Sequence, residues 1–308
     1  MDLTAVICTY NRYDYLDRAL KSLVAQQADG VAYDILVVDN TPPGPEREKQ
    51  AARFRAEYKL SYVTCDKAGL ANARNVAAAT SKAEIIAFLD DDAVAVPGWV
   101  AALHHAFAKA GPKAMIGGGP VRPEYEVPRP RWLHDKLLTY LTVIDWGDQT
   151  RFLDRHEWVA GANISYRRQA YLDGGGCNVS LGRIGENGSL LSNEETELTN
   201  RLQDAGGRTL YVPGAEVTHF VPAKRMTREW FRQRVIWQAI SDQMLKSLTP
   251  AECAKQAEGL AAYIAAVPPR HRTTNAFYYD AEEPDMFYWQ MQALYDYTRL
   301  TLSSGKLF

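Results

Sequence analysis

"IIAFLDDDAVAVPGW" (residues 85–99) runs an apolar stretch straight into three consecutive aspartates. The apolar run suits a strand buried on both faces. Carboxylates ~5 Å apart at an effective dielectric of ~20 repel by about 3 kcal/mol per pair. Water, basic neighbours or a metal ion must offset that repulsion. In extended geometry Asp90 and Asp92 project to one side and Asp91 to the other. Two carboxylates on one side form a hard-oxygen site suited to Mg²⁺ or Mn²⁺, especially where ligand phosphates complete the shell. A solvated acidic turn is the plain alternative, and both stand at this point.

Working back from this stretch, strand and helix alternate. "LTAVICT" (3–9), "YDILVVDN" (33–40) and "LSYVTCD" (60–66) read as strands. Between them, Leu16, Leu20, Leu23 and Val24 fall at helical spacing, a second helix runs to about residue 57, and "LANARNVAAAT" (70–80) is a third. Pro97 stands where an N1 proline would open "GWVAALHHAFAKA". Such alternation predicts a parallel sheet covered by helices. Ligands of open α/β sheets bind beyond the carboxyl ends of strands. Thr9, Asp39 and Asp90 to Asp92 all sit at such ends, so they are expected to share one crevice and one ligand.

A chain of 308 residues allows one large domain, or one with a substantial appendage. A net charge of −2 gives no global pull toward nucleic acid or anionic lipid, and no nucleic-acid partner is expected. Cys8, Cys65, Cys177 and Cys253 form no CxxC pair, which fits reduced thiols in a cytosol. Residues 1–8 carry no basic n-region or long apolar run, so no signal peptide is expected. The late run "GLAAYIAAVPP" is too short to span a bilayer. A soluble, cytoplasmic protein is the expectation.

Beyond residue 117, "GGGPVRPEYEVPRPRW" reads as loop with a short strand, and "WVAGANISYRRQAYLDGGG" as a strand, a short helix and a glycine run. "LLSNEETELTNRLQDAGG" is a helix with a glycine stop. Ser192 and Glu195 have capping-box spacing. Glu195 also shares a stripe with Leu198 and Leu202, where desolvation would raise its pKa and suit proton transfer; Glu194 faces elsewhere. His219 alternates with Val217 and Val221, so it points to the apolar side of a short strand, as a core residue or a ligand. Arg74, early on its helix near the crevice, is a surface arginine or a guanidinium for a diphosphate or base edge.

Taken in order, "VICTYNR", "ILVVDN", "AGLANARN", "FLDDDAVAVPGW", "EETEL" after "WVAGANISYRR", and "VTHFVPAKRMTREWFRQR" resemble the glycosyltransferase family 2 proteins, over roughly residues 3–240. These are inverting enzymes that use nucleotide-sugars. The resemblance implies a GT-A (Rossmann-like) fold: an α/β, mixed but mostly parallel sheet flanked by helices, with a C-terminal helical appendage. The catalytic domain would span 1–225, with a nucleotide-sugar half to about 118 and an acceptor half from 119, and a helical extension would span 226–308. It implies that Thr9, Tyr10 and Arg12 line the nucleoside pocket, that Asp39 reads the base edge (uracil in many relatives), and that Arg74 sits by base or phosphate. Asp90 and Asp91 would lie near ribose or donor sugar, and Asp92 would hold a divalent cation, Mn²⁺ or Mg²⁺. His219 matches a position that helps hold metal or diphosphate in some relatives. Glu195 would be the catalytic base, with Glu194 the alternative because many relatives carry aspartate there. Asn163 falls in a segment that helps form the sugar and acceptor pocket, or serves as a turn residue. A UDP-sugar donor and a glycan or lipid-linked acceptor follow from the resemblance.

Two rival classes are a sugar nucleotidylyltransferase and a noncatalytic glycan- or sugar-nucleotide-binding protein. The first needs a Gly-rich basic loop where this chain has "CTYNRYDY"; the second is at odds with acids at all the expected positions. In the appendage, "KRMTREWFRQR" (224–234) carries five basic side chains against one acid, and "FYYDAEEPDMFYWQMQALYDY" is dense in aromatics. A lid packed on the catalytic domain, a peripheral contact through 224–237 with the inner face of a membrane, and an oligomer interface all fit that pattern.

Overall fold

Alternating Val, Ile and Leu place successive strand side chains on opposite faces of a sheet. In the computed structural model of the protein those two sets enter two separate apolar layers. The structure describes residues 1–183, 190–273 and 275–304. Its first half runs β1 (Leu3–Thr9), α1 (Tyr13–Val24), β2 (Tyr33–Asp39), α2 (Pro45–Glu57), β3 (Ser61–Thr64), α3 (Leu70–Thr80), β4 (Ile85–Asp90), β5 (Ala93–Ala95) and α4 (Trp99–Ala110). It continues with β6 (Ala114–Gly118), β7 (Val121–Tyr125), β8 (Arg151–Phe152), β9 (Asn163–Arg167), α5 (Arg168–Asp173), α6 (Glu194–Asp204), β10 (Arg208–Tyr211) and β11 (Val217–Val221). Three helices close the chain: α7 (Arg228–Leu245), α8 (Pro250–Ala266) and α9 (Pro284–Ser303).

The main sheet has the order β3-β2-β1-β4-β9-β6-β10-β8. β3, β2, β1 and β4 are parallel; β9 runs antiparallel to both β4 and β6. On one face Leu3, Ala5, Ile7, Ile35, Val37, Ile85 and Leu89 pack with Leu16, Leu20 and Leu23 of α1, Phe54 of α2 and Leu103 and Phe107 of α4. On the other, Val6, Leu36, Val38, Ile86 and Phe88 pack with the alanines of α3, Tyr171 of α5 and Leu198 and Leu202 of α6. Burying each large side chain contributes about 1.5–3 kcal/mol, which is why these strands tolerate almost no polar residue before their ends. The fold is thus the expected mixed, mostly parallel sheet flanked by helices.

Register aligns the polar strand ends. β1 lies between β2 and β4, the point where strand order reverses, and pairs Thr9 with Asp39 and Cys8 with Asp90. A second sheet, β5-β11-β7, lies just beyond β4 in the chain. It pairs His219 with Ala93, and the Phe220 N–H donates to the Asp92 carbonyl at 2.9 Å, which brings the histidine to the aspartates.

Several sequence expectations shift by a residue or two. Val24 ends α1 exposed instead of buried, because the apolar face is already filled by Leu16, Leu20 and Leu23. Pro97 lies ahead of α4, whose N-cap is Gly98, so it is not the first helical residue. The Gly/Pro-rich region beyond 117 holds the short strand expected there, β7, while β6, which begins ahead of it, was not anticipated.

The chain divides into two compact units, and the division does not fall at one point. One comprises Met1–Glu124, the described part of 142–187, and Glu194–Phe220; the other gathers Tyr125–Leu141 with Val221 onward and the described residues before 194. Within the second unit Trp132 meets Phe287 edge-on at 4.9 Å between ring centroids and Phe231 at 5.8 Å. Thr249 and Glu252 form a capping box that starts α8. Among the described residues no helix is long and apolar enough to cross a membrane.

Asn163 is fully buried at the start of β9. Its Oδ1 accepts from Trp99 Nε1 at 2.9 Å, and its Nδ2 donates to the carbonyls of Ala215 (2.7 Å) and Pro120 (3.2 Å). The amide therefore ties α4, β9 and the approaches to β7 and β11 together, and it presents no surface to a ligand. Asn163→Ala leaves three buried polar groups unsatisfied, so a loss of about 3 kcal/mol is expected, read as a lower urea midpoint with unchanged slope.

Candidate active site

At the carboxyl end of β4 the chain turns through Asp91 and Asp92. Asp91 faces Thr9, whose hydroxyl donates to Oδ2 at 2.8 Å. Arg12 reaches over from the start of α1, with Nη1 2.8 Å from Asp91 Oδ1 and Nη2 2.6 Å from Asp92 Oδ2. Its guanidinium lies 4.6 Å from the Tyr15 ring centroid, a cation–π contact that fixes the arginine over the cluster. The remaining oxygen of Asp92, Oδ1, is 3.2 Å from His219 Nε2. One ligand atom each from Asp90, Asp92 and His219 lies within 4.8 Å of the others. Two carboxylate oxygens and an imidazole nitrogen form a donor set that could hold a metal ion. The sequence expectation that Asp90 and Asp92 share a side agrees with this arrangement.

Burial pushes the Asp91 carboxyl up to about 7, with Arg12 pulling it down and Asp92 pushing it further up. Arg12 itself is held charged by the two aspartates.

Asp39 is fully buried. Its Oδ2 accepts from the hydroxyls of Tyr62 (2.7 Å) and Tyr13 (3.1 Å), and its Oδ1 accepts the Thr41 N–H at 2.9 Å. Beside it Asn40 donates to the Cys65 and Lys67 carbonyls and accepts the Gly69 N–H at 2.8 Å. Gly69 has φ +124°, a conformation that only glycine adopts readily, and it sets the entry of α3. Tyr10, following Thr9, is half-buried.

A second ionic cluster centres on Arg74 of α3. Its side chain is 3% exposed, with Nη1 2.9 Å from Glu194 Oε1 and 3.8 Å from Glu195 Oε2. Nη2 donates to the Gly161 carbonyl at 3.1 Å and lies 4.0 Å from Asp90 Oδ1. The stripe that sequence spacing assigned to Glu195 belongs to Glu194: α6 begins at Glu194, and its buried residues are Glu194, Leu198 and Leu202, at i, i+4 and i+8. Burial, then the neighbouring charge of Glu195, push the Glu194 carboxyl up to about 8, against the pull of Arg74. Glu195 is the more accessible of the two, with 19% of its side chain exposed, and its buried Oε2 lacks a hydrogen-bond partner. The Ser192–Glu195 capping box is not formed, because the Ser192 N–H donates to Ser241 Oγ at 3.1 Å.

The structure therefore brings Thr9, Arg12, Asp90, Asp91, Asp92 and His219 into one cluster and joins it through Arg74 to Glu194 and Glu195. Asp39 lies one strand over, and Asn163 is enclosed in the core. Sequence reasoning missed Tyr13 and Tyr62 on Asp39, Tyr15 beneath Arg12, and the Gly161 carbonyl. The glycine left a signal in "WVAGANISYRR", but aromatic partners separated by a helix or a strand leave none.

Residues 4–173 match the family model described as Glycosyl transferase family 2. The chain belongs to that family. Among family relatives, the glucosyl-dolichyl phosphate glucuronosyltransferase of Haloferax volcanii is 24% identical over 257 residues, covering 81% of this chain and 79% of that protein. The mannosyltransferase PcManGT of Pyrobaculum calidifontis, solved with GDP-Man and Mn²⁺, superposes with a TM-score of 0.54 at 16% identity, covering 94% of this chain and 85% of the other. TarS 1–349 of S. aureus in complex with UDP gives 0.53 at 16% identity, with 100% and 93% covered. Against the longer TarS structure the chain spans 55% of the other's length. These structures share the GT-A fold, and the protein is a family 2 glycosyltransferase.

Two carboxyls with raised values make stability depend on pH with a definite sign. In the unfolded chain both ionise near 4; the folded protein holds their protons to higher pH. The folded state thus binds more protons in that interval, and stability falls as pH rises from about 4 through 7 to 8. Carboxylates held low by partners, such as Asp17 and Glu157, lose their contribution only below that window. In EDTA the urea midpoint should be higher at about pH 5.5 than at about pH 8. Asp91→Asn and Glu194→Gln should each shrink that difference, and an unchanged difference in both would refute the assignment.

Proposed function

We propose that the protein is an inverting glycosyltransferase that moves a sugar from a UDP-sugar to a hydroxyl of a lipid-linked or glycan acceptor, with divalent-cation assistance. The observation that carries this reading is the convergence of Asp90, Asp92 and His219 at the end of β4, bridged by Arg74 to a pair of glutamates at the start of α6. Acids of two kinds, one set with metal-ligand spacing and one partly open to an acceptor, are what a single displacement at an anomeric carbon requires.

Asp92 and His219, with Asp90, would hold the cation beside the donor diphosphate. When bound, the cation supplies positive charge where the leaving nucleoside diphosphate gains negative charge. Thr9 and Arg12 hold the two oxygens of Asp91, and Arg12 also holds Oδ2 of Asp92, so Asp90 and the Asp92 Oδ1 beside His219 are the carboxylate oxygens that would be offered to the cation. Glu195, the more exposed acid, would take the proton of the acceptor hydroxyl as that oxygen attacks from the face opposite the diphosphate. Glu194, enclosed against Arg74, is less suited to that role. One displacement inverts the anomeric centre without a covalent sugar–enzyme intermediate.

UDP is preferred as the donor nucleotide because of the resemblance at Asp39 and because TarS is solved with UDP. A lipid-linked acceptor is supported by the name of the Haloferax relative, which acts on a glucosyl-dolichyl phosphate. The 224–237 segment offers less to a membrane than its composition implies. Arg228 lies over the Trp132 ring at 4.8 Å, and buried Arg232 donates to the Phe277 and Tyr279 carbonyls. Both guanidiniums thus serve their own unit.

The test is calorimetric titration with UDP, GDP and dTDP, in Mn²⁺ and in EDTA, followed by turnover of UDP-glucose, UDP-glucuronate and GDP-mannose with a dolichyl-phosphate glucoside. UDP should bind only with Mn²⁺, Asp92→Ala should abolish that binding, and Glu195→Gln should remove turnover while leaving UDP affinity within about threefold. Metal-independent binding, or full turnover in Glu195→Gln, would refute the mechanism.

A further inference from the structure

Arg74 has a place in the site that differs from the one its motif implies. An arginine that reads a nucleotide needs a free edge of its guanidinium toward the ligand. Here the side chain is 3% exposed, and its two terminal nitrogens are directed at Glu194, Glu195, the Gly161 carbonyl and Asp90, at 2.9, 3.8, 3.1 and 4.0 Å. The Phe88 ring, 5.8 Å from the guanidinium carbon, lies beneath it.

Two glycines shape the space. A Cβ at Gly161 would stand 2.6 Å from Arg74 Nη2 and 3.2 Å from Glu195 Oε1. A Cβ at Gly182, where φ is +82°, would stand 2.8 Å from the Glu194 carboxylate. Bare backbone at both positions lets the arginine and the two acids approach as they do.

We propose that Arg74 is the positioning residue of the acceptor base: it holds Glu194 and Glu195 in one arrangement and ties them to Asp90, and it does not contact the nucleotide. Glu194 serves as its buried anchor. Glu195, whose Oε2 lies 3.8 Å from the same guanidinium without a hydrogen bond to it, is the more exposed of the two acids and the one left to accept a hydroxyl proton. The link to Asp90 makes the position of the base depend on the donor side of the crevice.

This inference rests on the transferase reading, and the experiment separates the two. Arg74→Lys and Gly161→Ala are compared with wild type for kcat, donor KM, the pH dependence of kcat, and Mn²⁺–UDP affinity by calorimetry. Arg74→Gln alone leaves the buried Glu194 carboxyl without its partner, so the double variant Arg74→Gln with Glu194→Gln, which removes both partners together, is measured beside it. Arg74→Lys and Gly161→Ala are each expected to lose about 100-fold in kcat, with donor KM and UDP affinity within about threefold of wild type. The double variant should lose kcat in the same way, with UDP affinity again preserved. A rise of tenfold or more in donor KM with kcat preserved would make Arg74 a nucleotide ligand and overturn the proposal, as would an unaltered kcat in Gly161→Ala. A wild-type protein that turns over no donor would instead remove the transferase mechanism itself.

Discussion

Carboxylate repulsion at the end of one strand governs the layout of this site. β4 is buried on both faces, so Asp90, Asp91 and Asp92 emerge where the sheet stops shielding the backbone and water has not yet taken over. Arg12 takes one oxygen from each of two aspartates, Thr9 a third, and His219 approaches a fourth. Thr9 comes from β1, which pairs with β4, and His219 from β11, which pairs with β5 just beyond the aspartates, so strand register and charge balance agree. The acceptor side repeats the scheme with Arg74 as the single cation among Glu194, Glu195 and Asp90.

Much of the sheet was legible because period-two and near-continuous apolar runs are dictated by burial. Residues 3–9 and 70–80 form the elements that their patterns predict. The alignment of Thr9, Asp39 and Asp90 along one sheet edge was legible for the same reason, since strand ends in a parallel sheet share one edge. What spacing could not supply was a choice between two glutamates that both share a face with Leu198 and Leu202, Glu194 at i, i+4, i+8 and Glu195 at i, i+3, i+7; the structure buries Glu194. A one-residue error of phase exchanges a buried anchor for an accessible acid. Asn163 failed differently, because whether a buried amide serves packing or a ligand depends on partners distant in sequence, here Trp99, Pro120 and Ala215.

In the basic segment after 223, Arg228 and Arg232 are used within their own unit. A run of arginines beside tryptophans suggests a charged face, yet a guanidinium in a helical unit with loose carbonyls and open aromatic rings finds both locally. Arg232 illustrates the point: it is buried, and it donates to the Phe277 carbonyl and to the Tyr279 carbonyl, the latter shared with Gln290 and the Ala281 N–H. Charge counts describe a surface only after such internal uses are subtracted.

The second unit draws Trp132 from a segment that precedes much of the sheet, whereas Phe231 and Phe287, the rings it packs against, belong to α7 and α9 near the other end of the chain. During synthesis from the amino terminus, that tryptophan leaves the ribosome long before its partners exist. The sheet of the first unit can pair β1, β2, β3 and β4 while Trp132 is still waiting. An interrupted or truncated chain would therefore carry an uncovered aromatic segment in the middle of otherwise folded material. Such a product is a natural target for chaperones and proteases.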